Sequence, residues 1–284
     1  MASFTNQATL RYNGLSVASN TVTGQMISPL SVTKTAVEDV YAPGDTISYV
    51  VSLVNDGSAT YEGLTLTDDL GGYEAGTGTA WPLAYVEGSV RYFINGVLQP
   101  APAVTPGPPL TITGISVPAG GDAMLVYETE VTAAAPLTAG STVVNTASLS
   151  GADLTAPIEA QASVGVQTGP ELSIVKSLSP ATVAQNGQLT YTFVIQNSGN
   201  EEAGAGANIS VSDLFDPVLK NVTVTLNGQP LTLGTDYSYD QATGQFSTAA
   251  GHITVPAATY AQTASTGDWT VSPGEATLIV TGTV

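Results

Sequence analysis

Apolar and small polar residues alternate along most of this chain. In Thr46-Ile-Ser-Tyr-Val-Val-Ser-Leu-Val54 and Leu189-Thr-Tyr-Thr-Phe-Val-Ile195 the apolar side chains fall largely on one face, with the period of a half-buried strand. Turn signals punctuate such runs, among them Asn55-Asp-Gly57, Asn95-Gly96, Asn227-Gly228 and Ser198-Gly199. No stretch carries a helical period with caps. Strands recurring at this spacing predict antiparallel β-sandwiches.

The pattern also repeats. Ser31-Val-Thr-Lys34-Thr-Ala matches Ser173-Ile-Val-Lys176-Ser-Leu, and Tyr49 and Tyr191 each fall 15 residues after the lysine. Asn55 and Asn197 fall 21 after it. Leu64-Thr-Leu-Thr-Asp68 matches Ile209-Ser-Val-Ser-Asp213, with three extra residues in the second copy's Gly/Ala-rich loop. Phe93-Ile-Asn-Gly96 matches Thr225-Leu-Asn-Gly228, and Ile115-Ser-Val-Pro-Ala119 matches Ile253-Thr-Val-Pro-Ala257. Ala123-Met-Leu-Val-Tyr127 matches Ala276-Thr-Leu-Ile-Val280. Two tandem domains follow.

The first copy continues for two more strands, Ser141-Thr-Val-Val-Asn145-Thr-Ala-Ser-Leu149 and Ile158-Glu-Ala-Gln-Ala-Ser-Val-Gly-Val166. Nothing after the second copy answers to them. Their likeness stands instead at the N-terminus, as Phe4-Thr-Asn6-Gln-Ala-Thr-Leu10 and Leu15-Ser-Val-Ala-Ser-Asn-Thr-Val22. The expected division is donor strands and connector in residues 1–26, a first domain in 27–168, and a second domain without closing strands in 169–284. An unclosed sandwich exposes a strand edge and unfilled core, which strand addition from another chain would fill. A head-to-tail contact that does not close gives a linear polymer. Residues 1–24, with Phe4, Ala8 and Leu10 facing the core, are the expected donor. The alternative is that these residues are the last strands of an upstream domain.

Composition narrows the chemistry. Against 23 Asp and Glu stand 5 Lys and Arg, for a formal charge of -18, so nucleic acid and anionic membrane surfaces would repel the chain. Absence of Cys removes disulfides and thiol chemistry, and one His, His252, removes a multi-histidine zinc site. At 43% hydrophobic residues the chain supports a buried core. The N-terminus has no basic and apolar signal regions, and no apolar run approaches a bilayer span.

In this lysine-poor chain two of three Lys, Lys34 and Lys176, fall at matching strand positions, and each copy keeps Asp68 or Asp213 at the end of a middle strand. Asn145 in the last part of domain one is matched by Asn6. The motifs Ser-Val-Thr-Lys-Thr, Gly-Asp-Thr-Ile-Ser-Tyr, Leu-Thr-Leu-Thr-Asp-Asp and Val-Asn-Thr-Ala-Ser-Leu resemble the conserved repeat of bacterial surface proteins, an Ig-like sandwich of the DUF11 type. The order Lys, acid, Asn is also similar to Ig-like pilin and adhesin domains that form Lys–Asn isopeptide bonds. That resemblance implies that Lys34 bonds Asn145 with Asp68 assisting, and that Lys176 bonds Asn6 of the next subunit with Asp213 assisting. Burial favours the neutral amine such attack requires, and a carboxyl group between the partners can shuttle the proton. The alternative is a pair of Lys–Asp ion pairs with a neighbouring Asn.

Other features point nowhere specific. Asp68-Asp69, Glu38-Asp39 and Glu201-Glu202 lie in no recognisable calcium loop, and Trp81 and Trp269 fit core or strand-pair roles better than sugar stacking. The expected protein is all-β: two tandem Ig-like antiparallel β-sandwiches, the second completed by a donor strand from another subunit. Its expected role is a self-assembling extracellular fibre subunit on a bacterial cell or spore surface. It would need no cofactor or metal, insert in no membrane, bind no nucleic acid and perform no chemistry beyond autocatalytic crosslinking. A monomeric adhesin or carbohydrate-binding stalk, with a host or glycan ligand of unknown identity, is the alternative.

Overall fold

A computed structural model describes residues 2–26, 29–76 and 78–284. Four exposed strands come first: β1 (Ala2–Asn6), β2 (Thr9–Tyr12), β3 (Leu15–Ala18) and β4 (Val22–Met26). They make one antiparallel ribbon, β1 on β4 and β2 on β3. Asn13 and Gly14, at φ 45 and 80, close it in the left-handed pair that two-residue hairpins demand.

Opposed residues of an antiparallel pair share a face, so Phe4 and Gly24, Asn6 and Val22, Leu10 and Val17, and Tyr12 and Leu15 lie on one side. Ser3, Thr5, Thr9, Arg11, Ser16 and Thr23 lie on the other. Asn6 pairs with Val22 but Thr9 with Ala18, so the return strand carries one extra residue between them. Such a bulge reverses the alternation. The sequence follows the reversal, passing from odd-numbered Leu15 and Val17 to even-numbered Val22, and the apolar face stays continuous. Ser19 pins the bulge, accepting from the Ala8 N–H at 2.9 Å through Oγ and donating to the Ala8 carbonyl at 2.8 Å.

The first sandwich begins with β5 (Leu30–Ala36), β6 (Val40–Tyr41), β7 (Thr46–Asn55), β8 (Tyr61–Asp68), β9 (Tyr73–Ala75), β10 (Gly78–Ala80) and β11 (Leu83–Tyr85). It continues with β12 (Arg91–Ile94), β13 (Val97–Gln99), β14 (Ala103–Thr105), β15 (Leu110–Val117), β16 (Gly121–Val131), β17 (Thr142–Ser150) and β18 (Ile158–Val166). One sheet has the order β13-β12-β16-β7-β5, and the facing sheet β14-β15-β8-β17-β18-β6. This is the immunoglobulin arrangement, in which the first, second, fourth and fifth framework strands oppose the third, sixth and seventh. Ile47, Tyr49, Val51 and Leu53 of β7 interleave with Leu64, Leu66, Ile112, Leu125, Tyr127 and Leu149 in a closed core.

The second sandwich consists of β19 (Leu172–Ser179), β20 (Gln188–Asn197), β21 (Ser212–Leu214), β22 (Lys220–Leu226), β23 (Gln229–Pro230), β24 (Tyr237–Asp240), β25 (Gln245–Thr248), β26 (Thr259–Gln262), β27 (Trp269–Ser272) and β28 (Gly274–Thr283). Its larger sheet, β19-β20-β28-β22-β23, repeats the first domain's order. The opposing sheet is only β21-β25-β24. Among the described residues, nothing occupies the places that β17 and β18 fill in domain one. β8 is paired on both sides, by β15 and β17, whereas β21 is paired on one, by β25. Of the expected strand Ile209–Asp213 only Ser212 and Asp213 pair, within a three-residue β21 that ends at Leu214, because half its ladder has no partner. Ile253–Ala257, which matches the end of β15 and the two residues after it, keeps a single bridge, Ala203 to Val255.

The ribbon is joined to one pole of domain one and domain two to the other. β5 starts at Leu30 opposite Asn55 and runs toward β6, which lies parallel to the last residues of β18, where domain two begins. At that junction the β26–β27 hairpin reaches back onto the β9–β10 hairpin. Gln262 Nε2 and Trp269 Nε1 donate to the Tyr73 hydroxyl at 2.6 and 3.2 Å, and that hydroxyl donates to the Ala134 carbonyl at 2.7 Å. Trp269 N–H donates to the Ala133 carbonyl at 2.8 Å. Gly267 packs where a side chain would collide with Ala80.

Candidate functional site

The two lysines sit at equivalent positions in unlike surroundings. In domain one, Lys34 points inward from β5 and its ammonium donates to Asp68 Oδ2 at 2.6 Å, with side chains 0% and 1% exposed. Asp68 Oδ2 also accepts from the Tyr127 hydroxyl, while Oδ1 accepts from Leu70 N–H at 2.9 Å. Asp69 turns away, taking the N–H groups of Gly71 and Thr146 at 2.8 and 2.9 Å. Strand alternation therefore gives Asp68 to the core and Asp69 to the backbone of its neighbour.

Asn145 enters from β17. Ala147 of that strand pairs with Asp68, so Asn145 lies two residues along on the same inward face. It is fully buried, yet neither its Oδ1 nor its Nδ2 has a hydrogen-bond partner. Tyr49 lies beside it, stacked on Tyr127 at 5.8 Å, with Lys34 Nζ 4.6 Å from its ring centre. Its hydroxyl is likewise unpartnered. Burial pushes the Tyr49 phenol well up, the Asn145 amide pulling it back and Asp68, Asp69 and Glu38 adding to the rise. Burial also holds the Lys34 amine below its ordinary value, against the opposing pull of Asp68 and Asp69. Unpartnered buried amide and hydroxyl groups each cost about 1–3 kcal/mol. Among the described residues, the buried side-chain atoms without a hydrogen bond are Tyr49 Oη, both Asn145 amide atoms and Asp213 Oδ2, the last of which has an ion contact with Lys176 instead. All belong to these two matching sites.

In domain two, Lys176 touches Asp213 Oδ2 as an ion contact, with side chains 42% and 18% exposed. Its ammonium lies over Tyr191, Phe193 and Phe215, at 4.7, 5.6 and 5.6 Å from the ring centres. Tyr191 takes the place of Tyr49, while Val280 stands where domain one has Tyr127. The whole of β19 is exposed: Leu172, Ile174 and Leu178 face water at positions where Leu30, Val32 and Ala36 are wholly or partly covered. Asn6 is exposed on the ribbon, at the far pole of domain one, and the chain does not bring it to Lys176. Phe4 and Leu10 are exposed beside it.

The spacing of the repeat pointed to Lys34, Asp68 and Asn145. The tyrosines were visible at their fixed offset from each lysine but had no assigned role. The two-strand nature of the ribbon was signalled by Asn13-Gly14, the same dipeptide type as Asn95-Gly96. His252 pairs with Asp236 at 3.1 Å on the surface, and no acidic or histidine cluster able to hold a metal occurs among the described residues.

Fold and site together define a pair of immunoglobulin-like sandwiches with a Lys–Asp–Asn cluster in the first and a Lys–Asp half-cluster in the second. No family model matches the sequence, nor does any curated protein. Among solved structures the chain is similar to the pilus backbone protein of Streptococcus pneumoniae, at 13% identity and TM-score 0.35, over 86% of this chain and 55% of that one. It is similar to the major pilin subunit of Bacillus cereus at 13% identity and TM-score 0.37, over 96% and 73% of the two chains. The full-length major pilin of Corynebacterium diphtheriae gives 12% and 0.36, over 66% and 57%. The chain thus spans about half the length of the pneumococcal protein. At such identities and scores these likenesses carry no functional conclusion.

Proposed function

We propose that this protein is a structural subunit that polymerises head to tail on a bacterial surface, each N-terminal ribbon entering domain two of a neighbour. The observation that carries this reading is complementarity within one chain: a ribbon with one apolar face, and a sandwich open along β19 and β21. Aligning Asn6 with Asn145 sets Phe4, Ala8 and Leu10 at the positions of Val143, Ala147 and Leu149, all buried in domain one. The ribbon's second strand then supplies Val17 and Val22 as the counterpart of β18. Each large apolar side chain gains about 1.5–3 kcal/mol on full burial, so covering half a dozen yields on the order of 10 kcal/mol before ordering costs.

Closure within one chain is disfavoured by topology. The ribbon roots at Leu30, domain two follows at the opposite pole, and seven residues of β5 alone separate these by roughly 20 Å. Once seated, Asn6 would meet Lys176 and Asp213 and form the intermolecular amide; Lys34 and Asn145 form the intramolecular one. Asp68 or Asp213 accepts a proton from the ammonium, the neutral amine attacks the Asn carbonyl carbon, and ammonia leaves.

Negative-stain microscopy of the wild type against a full-length Phe4→Asp/Leu10→Asp variant tests the assembly. Fibres are expected only from the wild type, and fibres from the variant would sink the ribbon's role. In wild-type fibres boiling in SDS should leave ladders, which Asn6→Ala should abolish while leaving the fibres themselves. The carbohydrate-binding alternative finds less support. The junction cleft of about 430 Å³ presents Tyr41 and Tyr260, whose hydroxyls already donate to the Pro136 and Ser198 carbonyls.

A further inference from the structure

We propose that Tyr49 is a catalytic residue of the Lys34–Asn145 crosslink, its phenol donating to the Asn145 carbonyl oxygen as that oxygen becomes an oxyanion, and that Tyr191 does the same for Lys176 and an incoming Asn6. The inference rests on the crosslinking reading above and extends it.

Three buried atoms without a well-formed hydrogen bond lie in the core of domain one: a phenol with a proton to give, a carbonyl oxygen with none to accept, and the amide nitrogen that must leave. The Asn145 amide is near enough to the Tyr49 phenol to act on it. Lys34, the nucleophile, lies over the Tyr49 ring at 4.6 Å, so the amine and the phenol share one neighbourhood. Asp68 is unsuited to binding the oxyanion. Its Oδ2 is occupied by Lys34 and Tyr127, and its Oδ1 by the Leu70 N–H. Attack on an amide raises negative charge on the carbonyl oxygen, and a fixed donor in a water-free core stabilises that charge strongly.

The atoms balance with Asp68 and Tyr49 in separate roles. Asp68 takes one proton from the Lys34 ammonium. The amine then attacks Cγ of Asn145, and Tyr49 Oη–H holds the resulting oxyanion without giving up its proton. A second amine proton passes by way of Asp68 to Nδ2. The Cγ–Nδ2 bond breaks, ammonia departs, and the new amide carbonyl keeps the Tyr49 hydrogen bond. Asp68 is left protonated, and nothing is oxidised or reduced.

Comparison between the domains separates this role from ring packing. Tyr127 is replaced by Val280 in the second sandwich, so its contact with the acid is not common to both sites. A tyrosine at the Tyr49 position is common to both. Tyr191 stacks on Phe215 at 4.8 Å under Lys176, in the same relation to its lysine as Tyr49 to Lys34.

The test is Tyr49→Phe in the full-length chain, which keeps the ring and removes only the donor. Wild type and variant are purified unfolded and uncrosslinked from inclusion bodies and refolded by removing denaturant, folding is followed by circular dichroism, and the Lys34–Asn145 peptide is quantified by mass spectrometry of digests over time. Folding at the wild-type rate with crosslinking slowed about 100-fold is expected. Crosslinking at the wild-type rate would overturn the role of Tyr49, whereas absence of the crosslink from wild-type protein would overturn the crosslinking reading itself. Tyr191→Phe gives a second measurement at a more open site: SDS-stable ladders should accumulate about 100-fold more slowly while fibres form normally. Ladders at the wild-type rate would remove Tyr191 from the proposal.

Discussion

Domains one and two begin with the same motif and end in opposite states. Lys34 and Lys176 occupy one framework position and each meets an aspartate, but the first pair is sealed and the second half open to water. Leu30 and Leu172 start equivalent strands, one 3% exposed and the other 42%. The lesson is that a β-strand's apolar face does not bury itself. Burial depends on what stands opposite, and in domain one this is the β17–β18 hairpin. The ribbon carries a matching apolar face, displayed to solvent, at the other end of the molecule. A second contrast lies at the joints. The β26–β27 hairpin and its receiver β9–β10 occur once each, so the joint inside the chain is clamped, while domain one has only residues 118–120 where domain two has 256–273.

Substitutions at matched positions break the comparison most directly. In a full-length chain kept monomeric by Phe4→Asp/Leu10→Asp and uncrosslinked by Asn145→Ala, Lys34→Ala should cost about 3–5 kcal/mol in urea unfolding, because Asp68 is left buried without its cation. Lys176→Ala in the same background should cost about 1 kcal/mol or less, since water already shares that pair. Equal costs would mean that the two sites are equally closed. Leu30→Ala should lose about 2–5 kcal/mol, and Leu172→Ala in the monomer only a few tenths. In fibres made with Asn6→Ala, which lack the intermolecular amide, Leu172→Ala should become as damaging as Leu30→Ala, a change readable from the temperature at which those fibres dissociate.

A synthetic peptide of residues 2–26 sharpens the same point by supplying the missing face in trans. At 100 times its dissociation constant it should stabilise domain two of the monomeric variant by about 2.7 kcal/mol, and protect the amides of β21 from hydrogen exchange. Domain one should not respond.

Acidity offers a smaller lever. Burial lowers the Lys34 pKa, and the groups facing its amine are Asp68, with Asp69 beyond it, and the Tyr49 ring. The ammonium proton passes to Asp68 and on to the leaving nitrogen, so the reacting pair keeps its proton, and crosslinking in domain one should be flat with pH below the lowered pKa and slow above it. The stability linkage runs differently. The unfolded chain binds the Lys34 proton more tightly, so the folded, uncrosslinked state gains stability as pH climbs between the lowered and the ordinary pKa and loses that gain as pH falls. A rate rising tenfold per pH unit would mean that the proton is lost to water before attack. A modest effect belongs to the joint: Tyr73→Phe removes one hydroxyl that accepts from Gln262 and Trp269. It should loosen the interdomain angle in solution scattering at a cost of about 1 kcal/mol.

The sequence by itself determined the strands, because alternation with a period of two reports the burial of each face directly. It also determined the repeat, the lysine, aspartate and asparagine positions that recur in it, and the mismatch between the copies. The pairing was less legible. Only the tertiary structure decided that the expected strand Ile209–Asp213 gives way to the three-residue Ser212–Leu214, since a ladder needs a neighbour and the sequence records only the willingness to have one. Only the fold brought Tyr49 beside an Asn145 with no hydrogen bonds, because β7 and β17 belong to facing sheets and no local spacing links them. And the bulge at Ser19, which keeps Val22 on the same face as Leu15, emerges only when the two sides of the ribbon are laid in register. Local pattern fixes which side of a strand is apolar, and long-range pairing fixes what that side meets.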